Sequence, residues 1–257
     1  MKLKTFTGSL RLATISFLGI ITLSSEAKAA SIRFGQWNFD PVIVTPSSSY
    51  AGGTGSAAPN TLKAVAAVSA NPIDPASWGA ENVTTRVSLS NFFTVEAGEG
   101  ENAGDTVRGF LFGNLGGSLI GAGLDIFSLT GSFNTTVVAT VDAGFQTFSE
   151  ADSNSGSVLA LDISRKDVNS AFRKAGILTI GQQYPFNMSL IVSASKVGVY
   201  QAVSNFNNTF TADVEVEAVP EPITIMGSGL ALGFGALFKT KYSRKQKKAK
   251  SLEKQKV

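Results

Sequence analysis

The residues best placed to do chemistry are carboxylates in one short stretch. Glu96-Ala-Gly-Glu-Gly-Glu-Asn-Ala-Gly-Asp105 gathers four acids within ten residues. Calcium takes about 6–8 oxygen ligands and tolerates loops of this kind. Glu99, Glu101 and Asp105 are therefore a candidate calcium site, and the plainer alternative is a solvated acidic hairpin loop. Asp152-Ser-Asn-Ser-Gly-Ser157 opens like a second calcium loop. Its glycine falls one position early for an EF-hand, however, and Ile163 stands where the closing Glu belongs, so a simple turn is expected.

What is missing narrows the chemistry further. The chain has no histidine and no cysteine. The usual zinc and copper ligands are absent, and so are Ser-His-Asp and Cys-His nucleophiles and any disulfide. Glycoside hydrolysis needs only two carboxylates flanking a sugar bond, but no spacing singles out a pair. Neither a Gly-x-Ser-x-Gly elbow nor a P-loop occurs. Gly53-Thr-Gly-Ser-Ala-Ala58 matches a dinucleotide-binding fingerprint loosely and lies in no βαβ unit, so no cofactor is expected.

Aromatic residues suggest binding rather than catalysis. Trp37, Phe39, Tyr50, Trp78, Tyr184 and Tyr200 could form a sugar-stacking face, because flat rings match the apolar faces of pyranoses. Trp78, in a Pro/Gly-rich stretch, and Trp37 are the candidate glycan contacts. The alternative is that these rings are packing, as the phenylalanines are taken to be.

The elements that would position these residues read as strands. Ile32, Phe34 and a ring at Trp37 or Phe39 open a first strand, with a slip near Gly35. Residues 47–60 are rich in Ser, Gly, Ala and Pro and read as a loop. Residues 62–70 are ambiguous between helix and strand. From Arg86 onward, short runs of Val, Thr and Phe are punctuated by turn residues, which indicates an antiparallel sandwich or barrel. The Gly-rich stretch 113–123 reads as a tight loop or packed turn. Ser164-Arg-Lys-Asp167, followed by Val168, Ala171 and Phe172 at i, i+3, i+4 spacing, predicts a short helix ending near Gly176. Thr209 to Val219 shows the clearest period-2 alternation, with Phe210, Ala212, Val214 and Val216 facing a core and Asp213, Glu215 and Glu217 facing water.

Both ends read as handling signals. Lys2, Lys4 and Arg11 precede an apolar run from Leu12 to Leu23 and then Ala27-Lys28-Ala29-Ala30, the parts of a secretory signal peptide cleaved after Ala29 or Ala30. At the other end, Val219-Pro220-Glu221-Pro222 leads into an uncharged run, Ile223 to Phe238, and then a 19-residue tail with nine Lys/Arg and one acid. The run's 16 residues would make about 24 Å of helix, short for a hydrocarbon core of about 30 Å. The tail stays cytoplasmic by the positive-inside rule. Pro220 and Pro222 hold Glu221 extended at the outer interface.

Setting both ends aside changes the electrostatics. Residues 31–238 keep nine basic and seventeen acidic side chains, a net charge of −8, although the whole chain is +3. Nucleic acid is a poor partner for such a body.

The tripartite C-terminus resembles the PEP-CTERM sorting signal of Gram-negative bacteria. The resemblance covers about 39 of the 257 residues and matches the motif at Pro220, Glu221 and Pro222; the basic tail is longer than the family's norm. It implies recognition by an exosortase, a membrane cysteine protease-transpeptidase that cuts at or near the motif, and a link to exopolysaccharide and biofilm. The organisation expected is therefore a signal peptide (1–30), an all-β jelly-roll-like sandwich with one short helix (31–218), and a sorting region (219–257) with a transmembrane helix at 223–238. The function expected is non-enzymatic: a structural or adhesive protein of the cell surface or matrix. The alternatives are a carbohydrate-binding module and, third, a carboxylate glycosidase or lyase.

Overall fold

Among the described residues twelve strands carry the fold, all paired antiparallel: β1 (Ser31–Phe34), β2 (Asn38–Phe39), β3 (Ile43–Pro46), β4 (Ala51–Ala58), β5 (Thr61–Ser69), β6 (Glu81–Glu96), β7 (Thr106–Ala122), β8 (Gly131–Asp142), β9 (Thr147–Val158), β10 (Ile163–Thr179), β11 (Gln183–Val197) and β12 (Gln201–Val216). The computed structural model describes residues 29–123, 131–158 and 162–217. The signal-peptide residues up to 28, including Ala27, lie outside the described residues, as do the strand expected at 124–129 and the sorting region with its motif and apolar run. Ala29 is exposed and Ala30 is buried.

The strands form two sheets facing each other across one core. The first has the order β6-β11-β8-β9, with β1, β2 and β3 laid end to end along the free side of β6. The second has the order β10-β7-β12-β5-β4. The chain nests its pairs: β5 with β12, β6 with β11, β7 with β10 and β8 with β9. Residues Ala30–Glu217 form one compact unit.

Period-2 burial explains why these segments are strands. Along β6 the odd positions from Val83 to Val95 are buried, and along β11 the even positions from Tyr184 to Lys196. Each fully buried Phe or Leu contributes roughly 1.5–3 kcal/mol, and no disulfide assists. The alternation predicted over Phe210, Ala212 and Val214 is observed.

The predicted helix over 164–176 is instead β10, which pairs with β7 along all seventeen of its residues. Val168 and Phe172 do share a face, but residues four apart share a face in a strand as well as in a helix. Ala171 points the other way and is exposed. Among the described residues there is no α-helix, only a 3-10 turn at Pro75–Trp78, and no helix is long and apolar enough to cross a membrane.

Two glycine-rich stretches expected to be loops are also strands, for one steric reason. On the inner face of β7, Gly109, Gly113, Gly117 and Gly121 alternate with Leu111, Leu115 and Leu119. A Cβ at these glycines would lie 2.3 Å from Leu178, 2.7 Å from Phe172, 2.4 Å from Phe206 and 2.3 Å from Phe133, respectively. Each glycine is a socket for a large side chain. On β4, a Cβ at Gly53 would meet Thr85 Oγ1 at 1.9 Å, so the missing side chain lets the two sheets close at that margin. At the opposite margin Phe148 of β9 stacks on Phe172 of β10 at 3.8 Å. Beside this pair Asp152, expected in a turn, is a β9 strand residue bonded to Lys166.

Candidate functional site

The outer faces of the two sheets differ in chemistry. Across the first sheet, register places small hydroxylated residues side by side, as in the row Thr84, Ser193, Thr136 and Ser153. Across the second sheet, rings, charges and amides gather. Register sets Arg173, Phe112 and Asp213 in one row, and Ala171, Asn114, Thr211 and Thr61 in the next.

Phe110 and Phe112 occupy this face because inner-face parity on β7 is taken by Gly and Leu. Phe110 is covered: the guanidinium of Arg173 lies 4.1 Å from its ring centroid and that of Arg108 5.1 Å. Both cations are also engaged by carboxylates, Arg173 with Glu215 of β12 at 2.5 Å and Arg108 with Glu217, just past the end of β12, at 3.5 Å. These pairs are more than half exposed on the arginine side, so each adds little stability; their effect is to hold guanidinium and ring in fixed places.

Phe112 lines an open groove of about 610 Å³, together with Asn60, Thr61, Asn114, Arg173, Thr211 and Asp213. That volume falls in the range of ligand pockets, about 300–1,000 Å³. Asp213 is half-buried, and burial raises its pKa above the usual carboxylate value; proximity to Glu215 adds to this, while the Val214 N–H and the Asn60 side chain act in the opposite sense. No ion pair engages Asp213 among the described residues. The expectation that it simply faces water is thus corrected.

Asn60 shapes the groove's wall. It sits in the two-residue turn between β4 and β5 with φ 59°, after Pro59, which suits a type II turn. Its Oδ1 is buried without a partner, which is uncommon in native proteins. Asn60→Ala should cost about 1 kcal/mol, because Ala lacks the short polar side chain that lets Asn tolerate the left-handed region. Asn60→Gly should cost less than half of that while also deleting the amide. Urea unfolding of the two variants measures the difference, and equal losses would contradict it.

The candidate residues named from sequence lie elsewhere. Trp37 stacks on Phe34 at 5.2 Å and meets Phe186 edge-on at 5.9 Å, so it is half-buried packing. Trp78 belongs to the 3-10 turn near the opposite end of β6, and its carbonyl accepts from the Gly198 N–H at 3.0 Å. The structure does not bring the two tryptophans together. In the β6–β7 loop, Glu101 accepts from the Gly98 N–H at 2.7 Å and Asp105 from the Asn102 N–H at 2.8 Å. Glu101 and Asp105 thus each cap a turn of this loop through one carboxylate oxygen. Among the described residues no group of three acids is placed to hold a metal.

The groove residues escape a sequence reading that takes most phenylalanines for core or half-buried packing. The signal that finds them is parity. Arg108 and Asn114 share it, and neither belongs in an apolar interior.

No family model matches the chain, and no curated protein matches it. Among solved structures, it is similar to TmCBM61 in complex with beta-1,4-galactotriose, at 14% identity over 70% of this chain and 90% of that one, with a TM-score of 0.16.

Proposed function

We propose that this chain is an exported, non-enzymatic surface or matrix protein whose sandwich holds polysaccharide in the groove over β10, β7 and β12. The observation that carries this reading is the convergence on one solvent-facing groove of a ring, Phe112, with hydrogen-bonding groups of four kinds at Asn114, Arg173, Thr211 and Asp213. Sugars present an apolar ring face and a rim of hydroxyls, and such a mixed surface answers both. The nested strand order supports it, being the order expected of jelly-roll wrapping, an architecture that lectin domains use. On a glycan array, retention of at least one polysaccharide class is expected. Retention of none would remove the binding reading and leave a purely structural one.

A second reading has one observation behind it. Asp213, with its raised pKa, and Glu215 lie on one face of β12 two residues apart, about 7 Å along the strand. That separation is compatible with a glycosidase pair. Hydrolysis of a retained glycan that disappears in Asp213→Asn would establish it. The engagement of Glu215 by Arg173 favours the binding role.

The ends complete the proposal. A signal peptidase would cut after Ala29, satisfying the small-x-small pattern with Ala27 and leaving the buried Ala30 in the fold. The 223–238 segment would then tether the body to the membrane until an exosortase-type enzyme cuts at Pro220–Pro222. Mass analysis of the mature protein from its native cells should find no peptide from Lys239 to Val257; their persistence would make the segment a permanent anchor.

A further inference from the structure

We infer that the groove selects amino sugars with free ammonium groups, an inference that rests on the glycan-binding reading and specifies its ligand. Three features of the same surface lead to it. The two arginines beside the groove are already neutralised, Arg173 by Glu215 and Arg108 by Glu217. Asp213, in the groove wall, has no such cation among the described residues, and its row neighbour on β7 is the ring of Phe112. Thr211 and Asn114, paired in the neighbouring row, add neutral hydrogen-bonding groups to the same groove. The wall is therefore rich in acceptors and poor in available cations.

An acidic sugar would be set against Asp213, with Glu215 on the same face of β12 and Glu217 just past its end, and the guanidiniums it meets already share their charge with those two carboxylates. A neutral sugar would satisfy the acceptors with hydroxyl donors alone. A protonated amine satisfies them with up to three donors and a charge. It is also attracted to the face of an aromatic ring, here Phe112. A charge-assisted hydrogen bond to a half-buried carboxylate is about twice as strong as a neutral one. The same amine bearing an acetyl group loses both charge and donors.

The test is affinity electrophoresis of the mature protein, freed of both basic ends, in gels containing a β-1,4-glucosamine polymer, its N-acetylated counterpart, or a polyuronate. The free-amine polymer should bind at least tenfold more tightly than the acetylated one, and the polyuronate should not retard migration. Asp213→Asn should bring the amine-to-acetyl ratio to within about twofold of unity. Glu99→Gln, in the exposed β6–β7 loop, removes the same charge far from the groove and should leave the ratio unchanged. If Glu99→Gln lowers the ratio as much as Asp213→Asn does, general attraction between an acidic body and a polycation accounts for the preference, and the inference fails. Equal binding of the two polymers, or preference for the polyuronate, overturns the inference but keeps the glycan-binding reading. No retardation by any of the three, with no array hit, overturns both.

Discussion

Gly113→Ala is expected to destabilise the sandwich by about 3 kcal/mol, the upper part of the usual range for overpacking. The added Cβ would lie 2.0 Å from the carbonyl oxygen of Thr211 and 2.9 Å from the Cα of Ala212. Both are backbone atoms of β12, so no rotamer change relieves them; β7 and β12 must separate. For a domain of this size the loss should appear as roughly 6–12 °C in Tm. Thr211 and Asp213 line the groove, so ligand binding should weaken together with stability. Gly52→Ala is the contrast. It sits in β4 with open space around it, and Ala there should stabilise by about 0.5–1 kcal/mol. Thermal unfolding of the two variants checks the pair, and losses of similar size would show that the sockets on β7 do not matter.

Lys196→Ala should cost a similar amount, about 3 kcal/mol. Lys196 is 2% exposed, on β11 opposite Glu81 of β6. Its ammonium donates to the Ser77 carbonyl at 2.6 Å, which anchors the 3-10 turn to the sheet. Ser77 in turn donates to the carbonyls of Asn71 and Asp74 and accepts from the Asn71 N–H. Truncation removes three buried methylenes, worth about 2 kcal/mol, and a charge-assisted hydrogen bond of about 1.5–3 kcal/mol. Relief from burying an ammonium offsets part of this. Lys196→Met keeps the stem and should cost less than Ala.

The same residue gives a sign for pH dependence. Burial lowers the Lys196 pKa, and Glu81 opposes this only in part. Between that lowered value and the ordinary 10.5, the unfolded chain binds more protons than the folded one, so this residue's contribution to stability rises with pH. In Lys196→Met that rise should be absent. Denaturant melts across the alkaline range measure it, and an unchanged slope in Lys196→Met would contradict the assignment.

How much of this was legible depended on whether the relevant contact was local. The alternation over Phe210–Val214 carries its own answer, because one face packs and the other does not. Residues 164–176 did not, because Val168 and Phe172 satisfy both periods and the deciding partner is β7, more than forty residues earlier. Glycines in β4 and β7 read as loop because glycine has little intrinsic preference for strands. They are required there by Thr85, Phe133, Phe172 and Phe206, which only the fold brings near. The site was obscured for the same reason. Asp213 was placed on the outer face correctly, but its burial comes from Asn60 and Phe112, on two other strands' ends and faces. Trp37 and Trp78 drew attention as rare large rings, yet sequence could not tell a packed ring from a displayed one.

The claim at the centre of this account is that glycan binds over β7 and β12 and not on the hydroxyl-rich face of the other sheet. Isothermal titration with a polysaccharide that the wild-type chain retains decides it most directly, comparing Phe112→Ala with Val138→Ala. Val138 is 38% exposed on the outer face of β8, so both variants trim one surface side chain. The account predicts that Phe112→Ala weakens affinity about tenfold or more, equivalent to about 1.4 kcal/mol, with Tm nearly unchanged, and that Val138→Ala binds as wild type does. Undiminished binding by Phe112→Ala, or a loss confined to Val138→Ala, would contradict it.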